Sequence, residues 1–495
     1  MTTANEERPG NRPLLSVWAR LARAVAVLCT GTLLGLTLAY AFYRQPFPTA
    51  WFPSGYLAGV TADDLALERT ADANAARDGA PAGRYPPAGL WHLRAIHAQE
   101  AWDELQRRGA TSPTFPVGLF DGVIDPEHPD LAGVVDGGLL EDAGLYAQRW
   151  AARDNHGTAL MGILAGRGLP GITGVNPTGR VVPFGTHATS RETNVAASLQ
   201  YFASRGVRVA NYSIAPPWPV VDQDAVDAAR RAGVLLVTGL PNRDAEAMAH
   251  PAALQHTLTV SGVQPGDAIG GFGWGPLVDV TAPGPWVLSS APRLKLGPLT
   301  LGPPYQRICC NSVAVAITSA VAALTLQADP TLTAGQLEKR LKLSARKPVG
   351  MDGARWHPRY GYGVVDALRA ITYDTTGPEI AVVSATRTPA GIVVTGGAID
   401  TTDDALLEPG RARDQHLVGV AVSNVVRVEV RAGDGPWVEA TITVPDTGRQ
   451  GVVAGPVRFD ATVPAVGPVR ARAWDSAGNV GAEVLVEVAA PGQTP

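Results

Sequence analysis

A histidine at the start of an apolar segment is a candidate catalytic residue. His156 opens the run NHGTALMGILAG, in which Leu160, Ile163 and Leu164 recur at helical spacing. This spacing predicts a helix with one inward apolar stripe, and the glycine after the histidine leaves room for a substrate backbone. An imidazole in this place suits a general base, although a histidine at a helix start is also commonly structural.

A carboxylate that could orient this base lies upstream. Asp121 directly follows the hydrophobic run PVGLF, which reads as a buried strand. A carboxylate at the end of such a strand is held rigidly, so it can accept the imidazole N–H and stabilise the cation formed during proton transfer. The structural alternative is a turn aspartate before Gly122.

A candidate nucleophile lies downstream, in the run CCNSVAVAITSAVAALTL. This run predicts a helix too uniformly apolar to face water, with Ser312 at its amino end. The free N–H groups and the positive end of the helix dipole favour a developing oxyanion there. A serine at this point can also be an ordinary N-cap.

An asparagine could complete an oxyanion site. Asn242 follows the strand-like run GVLLVTG and a Leu-Pro bend, so its amide could point into the same cleft. A side-chain N–H aimed at a tetrahedral oxygen is worth about 3 to 4 kcal/mol of barrier. A turn asparagine is the structural alternative.

Composition limits the classes of protein to consider. The chain has 495 residues and 45% hydrophobic content, enough for a large core and for two domains. The net charge of −4 and the scattered basic residues argue against a nucleic-acid partner. Arginine supplies nearly all of the positive charge, a bias associated with GC-rich bacterial genomes.

Three cysteines cannot form a disulfide framework. We interpret the adjacent Cys309 and Cys310 as small buried residues, with a strained vicinal disulfide as the alternative.

The elements that must position the four polar residues alternate between strands and helices. The runs PVGLF, RVVPFG, VRVANYSI, GVLLVTG and TLTVSGV read as buried strands, and TNVAASLQYFASRG and DQDAVDAARRAG as helices. This alternation predicts a doubly wound, mostly parallel α/β sheet covered on both faces. Ligands of such sheets collect beyond the carboxyl ends of the strands.

The amino-terminal region predicts export. We expect a cytoplasmic segment over residues 1–23, a transmembrane helix over 24–43 and a Pro/Ala/Gly-rich linker over 44–87. The apolar stretch 24–43 carries no charge and would span about 30 Å, with arginines before it and aromatic residues at its end. A cleaved signal peptide, with Ala39-Tyr40-Ala41 as its processing site, is the alternative. Both interpretations place the rest of the chain outside the cytoplasm.

The hydrophobic pattern of the carboxyl-terminal region is that of strands and not of helices. Residues 376–490 contain alternating runs such as VVRVEVRAG and VRFDATV, separated by Gly, Pro and Asp turns. This pattern predicts a small all-β sandwich. The run RAWDSAGNVG resembles the last hairpin of immunoglobulin-like and fibronectin-like modules.

Several motifs in order resemble those of the subtilisin-like serine proteases (subtilases). DGVIDPEHPDL resembles the block around the family's aspartate, NHGTALMGILAG the block around its histidine, and NSVAVAITSAVAAL the helix of its serine. LPNRD stands where the family has its Ala-Gly-Asn turn. The resemblance covers about residues 88–373 and implies a Ser/His/Asp triad in the subtilisin order Asp, His, Ser. It assigns Asp121, His156 and Ser312 to the triad and Asn242 to the oxyanion.

The resemblance also implies where substrate binds and what the protein does. An extended peptide would pair with the strand Asn211-Tyr212-Ser213-Ile214-Ala215, so Ser213, Ile214 and Ala215 are candidate substrate-binding residues. We expect a single-pass, membrane-anchored serine endopeptidase acting outside the cytoplasm on protein or peptide substrates. No cofactor or metal site is expected, because the histidines lack ligand spacing.

Three departures from the family pattern leave other functions open. Gly122-Val123 replaces Ser/Thr-Gly, Cys310-Asn311 replaces Gly-Thr, and Ala316 replaces proline. A cysteine side chain in place of glycine could shift the oxyanion donors, and errors near 1 Å reduce rates about a hundredfold. The alternatives are a pseudoprotease that binds a peptide or protein without turnover, and a surface-structural protein whose main part is the β-sandwich.

Overall fold

The computed structural model describes most of the chain beyond its amino-terminal region. The described residues are 90–109, 115–122, 124–137, 156–168, 171–185, 191–214, 219–296, 299–301, 304–374, 376–400, 404–444 and 457–489. The predicted cytoplasmic segment, transmembrane helix and linker lie outside these residues, as does Ala215 of the predicted substrate strand. Their assignments therefore stay predictions.

A six-stranded parallel sheet forms the centre of residues 88–373, the range that resembles the subtilases, which we call the peptidase-like region. Its strands lie in the order β2-β1-β3-β4-β5-β6, and every neighbouring pair is parallel. They span β1 Val117–Asp121, β2 Val181–Gly185, β3 Val209–Tyr212, β4 Leu235–Gly239, β5 Thr257–Val263 and β6 Val280–Pro283. Their residues are almost all buried, which confirms the predicted doubly covered parallel sheet.

The strand order reverses between β1 and β3. In open α/β sheets the crevice at such a reversal, beyond the carboxyl ends of the strands, is the usual ligand site. Asp121 ends β1, and Ser213 directly follows β3. The topology therefore brings the predicted orienting carboxylate and the predicted substrate strand to one crevice.

Helices cover both faces of the sheet. They are α1 Trp91–Ala95, α2 Ala98–Arg107, α3 His156–Ala165, α4 Arg191–Ser204, α5 Gln223–Arg231, α6 Asn311–Ala328, α7 Ala334–Ser344 and α8 Ala367–Thr372. Helix α6 is the one helix in the described ranges that is long and apolar enough to cross a membrane, but it is 83% buried inside the protein. It packs against α3 and against β3 to β6, as a central core helix does.

Two antiparallel strand pairs lie between the sheet and α6 in the chain. β7 Val287–Ser290 pairs with β10 Tyr305–Ile308, and β8 Leu294–Leu296 pairs with β9 Leu299–Leu301. The hydroxyl of Ser289 in β7 donates to the carbonyl of Ala159 in α3 at 2.6 Å. This contact ties the β7–β10 pair to the histidine-bearing helix.

The carboxyl-terminal region is β-rich, as its alternating pattern predicts. One sheet has the order β15-β16-β12-β11-β19 and the other β14-β13-β17-β18. The strands are β11 Glu379–Thr388, β12 Gly391–Ile399, β13 Val425–Ala432, β14 Val438–Glu439, β15 Thr441–Thr443, β16 Val457–Val463, β17 Val469–Asp475, β18 Val484–Val486 and β19 Val488–Ala489. Side chains from both sheets, Val394 and Phe459 of one and Val430 and Ala471 of the other, share a single apolar core.

The segment 404–424 joins this region to the parallel sheet. Its Leu407, Leu417 and Val422 belong to the same hydrophobic core as α6 and the sheet. Two short 3-10 helices, Asp404–Leu406 and Ala412–Leu417, form part of it. A stretch inside the predicted sandwich range thus packs against the peptidase-like region.

Buried charges hold this segment in place. Lys342 of α7 is 1% exposed and lies 2.7 Å from Glu338, 2.9 Å from Asp414 and 3.2 Å from Asp279. Burial alone raises the pKa of Asp279, but the cations of Lys342, Arg413 and Arg411 outweigh it and hold that pKa far below its usual range. Because charges so deeply buried must be paired, only a surface carrying matching acids and bases can cover α7.

We predict that Lys342→Met destabilises the fold by about 3 to 5 kcal/mol, because it leaves buried carboxylates without their shared cation. Urea unfolding followed by tryptophan fluorescence measures this. Arg107→Ala, which removes an exposed ion pair with Glu104, is the matched control and should cost less than about 1 kcal/mol. Equal losses in the two variants would contradict the role given to the buried cation.

Candidate active site

The carboxylate and the imidazole predicted to work together are in contact. Nδ1 of His156 lies 2.9 Å from both Oδ1 and Oδ2 of Asp121. Asp121 is 3% exposed at the end of β1, and the backbone N–H of Gly122 donates to its Oδ1 at 2.7 Å. Because a carboxylate oxygen accepts hydrogen bonds, Nδ1 is the donor in this contact, and in a neutral imidazole with this tautomer the lone pair lies on Nε2. The imidazole is thus oriented as a general base requires.

Helix α3 carries the imidazole to the edge of solvent. His156 is its first residue, and the nine residues after it are all buried. The His156 side chain is 35% exposed. A base on a rigid, buried helix keeps its position while its ring stays accessible from the cleft.

Ser312 lies inside the first turn of α6 and is not its N-cap. The N-cap is Cys310, and its side chain makes no capping hydrogen bond. The structural alternative for this serine, an N-cap role, is therefore wrong. The Ser312 hydroxyl donates to the carbonyl oxygen of Ser213 at 3.2 Å, and the Ser213 hydroxyl donates to the carbonyl oxygen of Ser312 at 3.2 Å.

Asn211, which sequence reasoning did not single out as a site residue, supports this pair. It is fully buried in β3, its Nδ2 donates to the Ser213 hydroxyl at 3.0 Å, and its Oδ1 accepts from Ser319 of α6 at 3.1 Å. These bonds fasten the end of β3 to α6. An asparagine within an otherwise apolar strand is the sequence signal that could have indicated it, since a buried amide needs partners.

The amide of Asn242 faces the start of α6. Its Oδ1 accepts from the backbone N–H of Asn311 at 2.8 Å. Because only an oxygen can accept this N–H, Nδ2 points the other way, and within the described residues no protein acceptor takes it. Asn242 is an exposed residue, so Nδ2 can reach a bound ligand.

The N–H groups at the start of α6 differ in their hydrogen-bond partners. The Asn311 N–H is taken by Asn242, and the Val313 N–H donates to the carbonyl of Cys310 at 3.0 Å. Between them, the Ser312 N–H has no acceptor in the described part of the chain. One free backbone donor and one free amide donor beside a serine hydroxyl are the groups that stabilise a tetrahedral oxyanion.

Cys310 adopts a backbone conformation that disfavours a side chain. Its φ is 100° and its ψ is 174°, a region occupied almost entirely by glycine. Holding a cysteine there costs about 1 to 3 kcal/mol. The departure from the family's glycine therefore places strain two residues before the nucleophile candidate.

The two adjacent cysteines carry free thiols, so the vicinal disulfide considered above is not formed. A hydrogen bond with Cys310, together with burial, raises the pKa of Cys309 far above its usual range. The Cys309 thiol therefore stays protonated at neutral pH. Because the thiolate is the nucleophilic form, this residue is a poor competitor of Ser312.

Three carboxylates outside the site form the one group, among the described residues, with spacing for a metal ion. The oxygens of Asp374, Asp400 and Asp475 lie within 4.8 Å of one another. The Ser423 hydroxyl contacts both Asp374 and Asp400, and Asn479 donates to Asp475 at 2.8 and 2.9 Å. The expectation of no metal stays a prediction.

Of the substrate-binding candidates, Ser213 exchanges hydrogen bonds with Ser312. Ile214 is half-buried and packs against the apolar cluster that includes Val220 and Val221. The pairing of β3 with its neighbours ends at Tyr212. Ser213 and Ile214 therefore directly follow the last paired residue, at the carboxyl end of β3.

Comparisons with known proteins agree with this site. The model of the subtilase family matches residues 114–363, a range that contains all four predicted polar residues. Subtilisin Savinase of Lederbergia lenta is 27% identical over 286 residues, covering 57% of this chain and 97% of that protein. Thermitase of Thermoactinomyces vulgaris is 27% identical over 294 residues, covering 56% of this chain and 94% of that protein.

Solved structures give a more distant comparison. Fervidolysin from Fervidobacterium pennivorans aligns with a TM-score of 0.48 and 22% identity, covering 78% of this chain and 55% of its own. A lanthipeptide protease aligns with a TM-score of 0.46 and 20% identity, covering 58% of this chain and 95% of its own. The match of the family model over half of the sequence decides the assignment: the chain belongs to the subtilase family, the subtilisin-like serine proteases.

Proposed function

We propose that this protein is an active serine endopeptidase in which Ser312 is the nucleophile and His156 the general base. The single observation that carries the proposal is the contact of His156 Nδ1 with both Asp121 oxygens, because an imidazole that donates through Nδ1 accepts a proton through Nε2. Ser312 supplies the hydroxyl from a helix that packs against the helix of His156.

The proposed reaction begins with a rotation of the Ser312 side chain. Its hydroxyl now donates to the Ser213 carbonyl at 3.2 Å, a length typical of a weak bond. Turning about the Cα–Cβ bond lets Oγ give its proton to Nε2 of His156 as Oγ attacks the scissile carbonyl carbon. His156 then protonates the leaving amine, and a water hydrolyses the acyl-enzyme by the same steps.

The negative charge on the carbonyl oxygen would be met by two donors. These are Nδ2 of Asn242 and the backbone N–H of Ser312, which have no other acceptor among the described residues. The Ser312 N–H lies on the buried helix α6, and Asn242 is bonded to the start of that helix, so we expect little reorganisation as charge develops.

Substrate would bind as an extended peptide beside Ser213 and Ile214. The support is that these residues directly follow Tyr212, the last paired residue of β3, where another strand could pair with their backbone groups. The proposal therefore includes a protein or peptide substrate held by backbone hydrogen bonds. A pseudoprotease that binds the same ligand is the second candidate, favoured by the strained conformation of Cys310.

We predict that a fluorophosphonate probe labels the full chain at Ser312 and that Ser312→Ala abolishes labelling. Asp121→Asn should slow labelling about 10⁴-fold, because an amide can hold the imidazole in the wrong tautomer. Ser204→Ala, which removes an exposed serine of α4, is the matched control and should label normally. Intensity of the labelled band and mass spectrometry of the modified peptide give the result. A folded protein that does not label would support the pseudoprotease.

We further predict that Cys310→Gly is more stable than Cys309→Gly by about 1 to 3 kcal/mol. Both changes remove a thiol, but only Cys310 has a φ that favours glycine. Urea unfolding compares the two variants, and the rate of probe labelling should rise in Cys310→Gly. If the two variants unfold at the same urea concentration, Cys310 is not strained.

We also propose that residues 24–43 anchor the protein in the cell membrane with the peptidase region outside the cytoplasm. The support is the uncharged length of this stretch and the arginines before it. After carbonate extraction of bacterial cells, the full chain should stay in the membrane pellet and a variant lacking residues 1–43 should not. Recovery of soluble protein with a new amino terminus after Ala41 would instead support a signal peptide.

A further inference from the structure

Asn311, which stands where the family has threonine, makes side-chain hydrogen bonds with three other residues. It is 2% exposed at the first position of α6. Its Nδ2 donates to the carbonyls of Leu240 and Pro241 at 2.6 and 3.1 Å. Its Oδ1 accepts from the backbone N–H of Gly262 at 2.6 Å. Every hydrogen-bonding group of this side chain is therefore used within the protein.

These bonds join three elements at one point. Leu240 and Pro241 form the turn after β4, Gly262 lies in β5, and Asn311 begins α6. The backbone N–H of Asn311 meets the same turn again, because it donates to Oδ1 of Asn242. The turn that carries Asn242 is thus fixed to α6 by the side chain and the backbone of one residue.

Both proposed oxyanion donors depend on this residue. Asn242 Nδ2 takes its direction from the bond between Asn242 Oδ1 and Asn311, and the Ser312 N–H belongs to the next residue of the helix. The neighbour on the other side, Cys310, is strained and makes no side-chain cap. Asn311 is therefore the group that can hold the donors in place beside a strained residue.

We infer that Asn311 is a positioning residue of the active site, which sets the direction of the Asn242 amide toward the oxyanion. The inference rests on the proposed protease function and adds to it a residue that does not touch substrate. Its side chain acts on the turn 240–242, so its effect on the reaction passes through Asn242. A role of this kind is distinguishable from a general contribution to folding, because its effect disappears once Asn242 is removed.

A double-mutant cycle tests the inference on the full chain. Asn242→Ala should slow fluorophosphonate labelling about 100- to 1000-fold. Asn311→Ala should slow it about 10-fold in the wild type but less than about 2-fold in the Asn242→Ala background, because residues that act as a unit are not additive. With a peptide substrate, the loss should fall on kcat while KM is unchanged. If the decreases in labelling rate of the two single mutants multiply in the double mutant, the inference is overturned.

Two further variants separate positioning from stability. Asn311→Asp keeps the size and the acceptor for Gly262 but cannot donate to Leu240 and Pro241, so it should slow labelling at least as much as Asn311→Ala. Thr318→Val, on the same helix, removes a buried hydroxyl that donates to the Ala314 carbonyl and is the control for stability. It should lower the unfolding midpoint and leave the labelling rate within about 2-fold of wild type. An equal loss of labelling in Thr318→Val would make Asn311 a structural residue.

A crystal structure of Asn311→Ala tests the positioning role without requiring activity. Asn242 Nδ2 should move by about 1 Å or more, a displacement large enough to affect catalysis. An unmoved Asn242 overturns the inference even if the wild type never labels. Labelling of the wild type with an additive cycle would leave the protease function intact and remove only the positioning role.

Discussion

The amino end of α6 is held by hydrogen bonds from the ends of three neighbouring strands, and the geometry of the site depends on this attachment. Ser312 bonds to Ser213 after β3, Asn311 to Leu240 in the turn after β4, and Asn311 again to Gly262 in β5. Because the strands are parallel, their carboxyl ends meet at one edge of the sheet. A single helix start can therefore contact groups that lie far apart in the chain.

The backbone is strained at Cys310, directly before α6. Cys310 has a conformation that only glycine adopts freely, and it precedes two residues whose bonds fix the helix. Such strain persists only where surrounding contacts fix the backbone conformation despite the preference of the residue. Here the four hydrogen bonds of Asn311 to the turn after β4 and to β5 fix the backbone next to Cys310.

Buried ion pairs between α7 and the segment 404–424 form a second constraint. Helix α7 buries Glu338, Lys339 and Lys342 against the segment 404–424. Asp404 and Asp414 of that segment pair with the two lysines, and Glu338 pairs with Lys342 of its own helix and with His416 of the segment. Pairing of this kind selects the surface that covers the helix more than it adds net stability. The β-rich region is thus attached to the peptidase region through specific ion pairs together with shared apolar core.

Sequence patterns predicted the elements of the peptidase region well, for reasons that are local. The strand runs PVGLF and GVLLVTG became β1 and β4, and DQDAVDAARRAG became α5, because hydrophobic periodicity reports burial directly. The family resemblance is also local in origin, since each motif is short, and it is confirmed. The immunoglobulin-like character of the β-rich region and the membrane anchor stay predictions.

By itself, the sequence determined which residue types were present at the ends of strands and helices: Asp121, His156, Asn242 and Ser312. Only the tertiary structure decided that Asp121 binds His156 through Nδ1, and that Asn311, read from sequence as a departure, joins α6 to two strands. It also decided that Ser312 lies within the helix and not at its cap. The physical reason is that hydrogen-bond partners 35 to 71 positions apart in sequence are chosen by the packing of the sheet and helices, which no local pattern encodes.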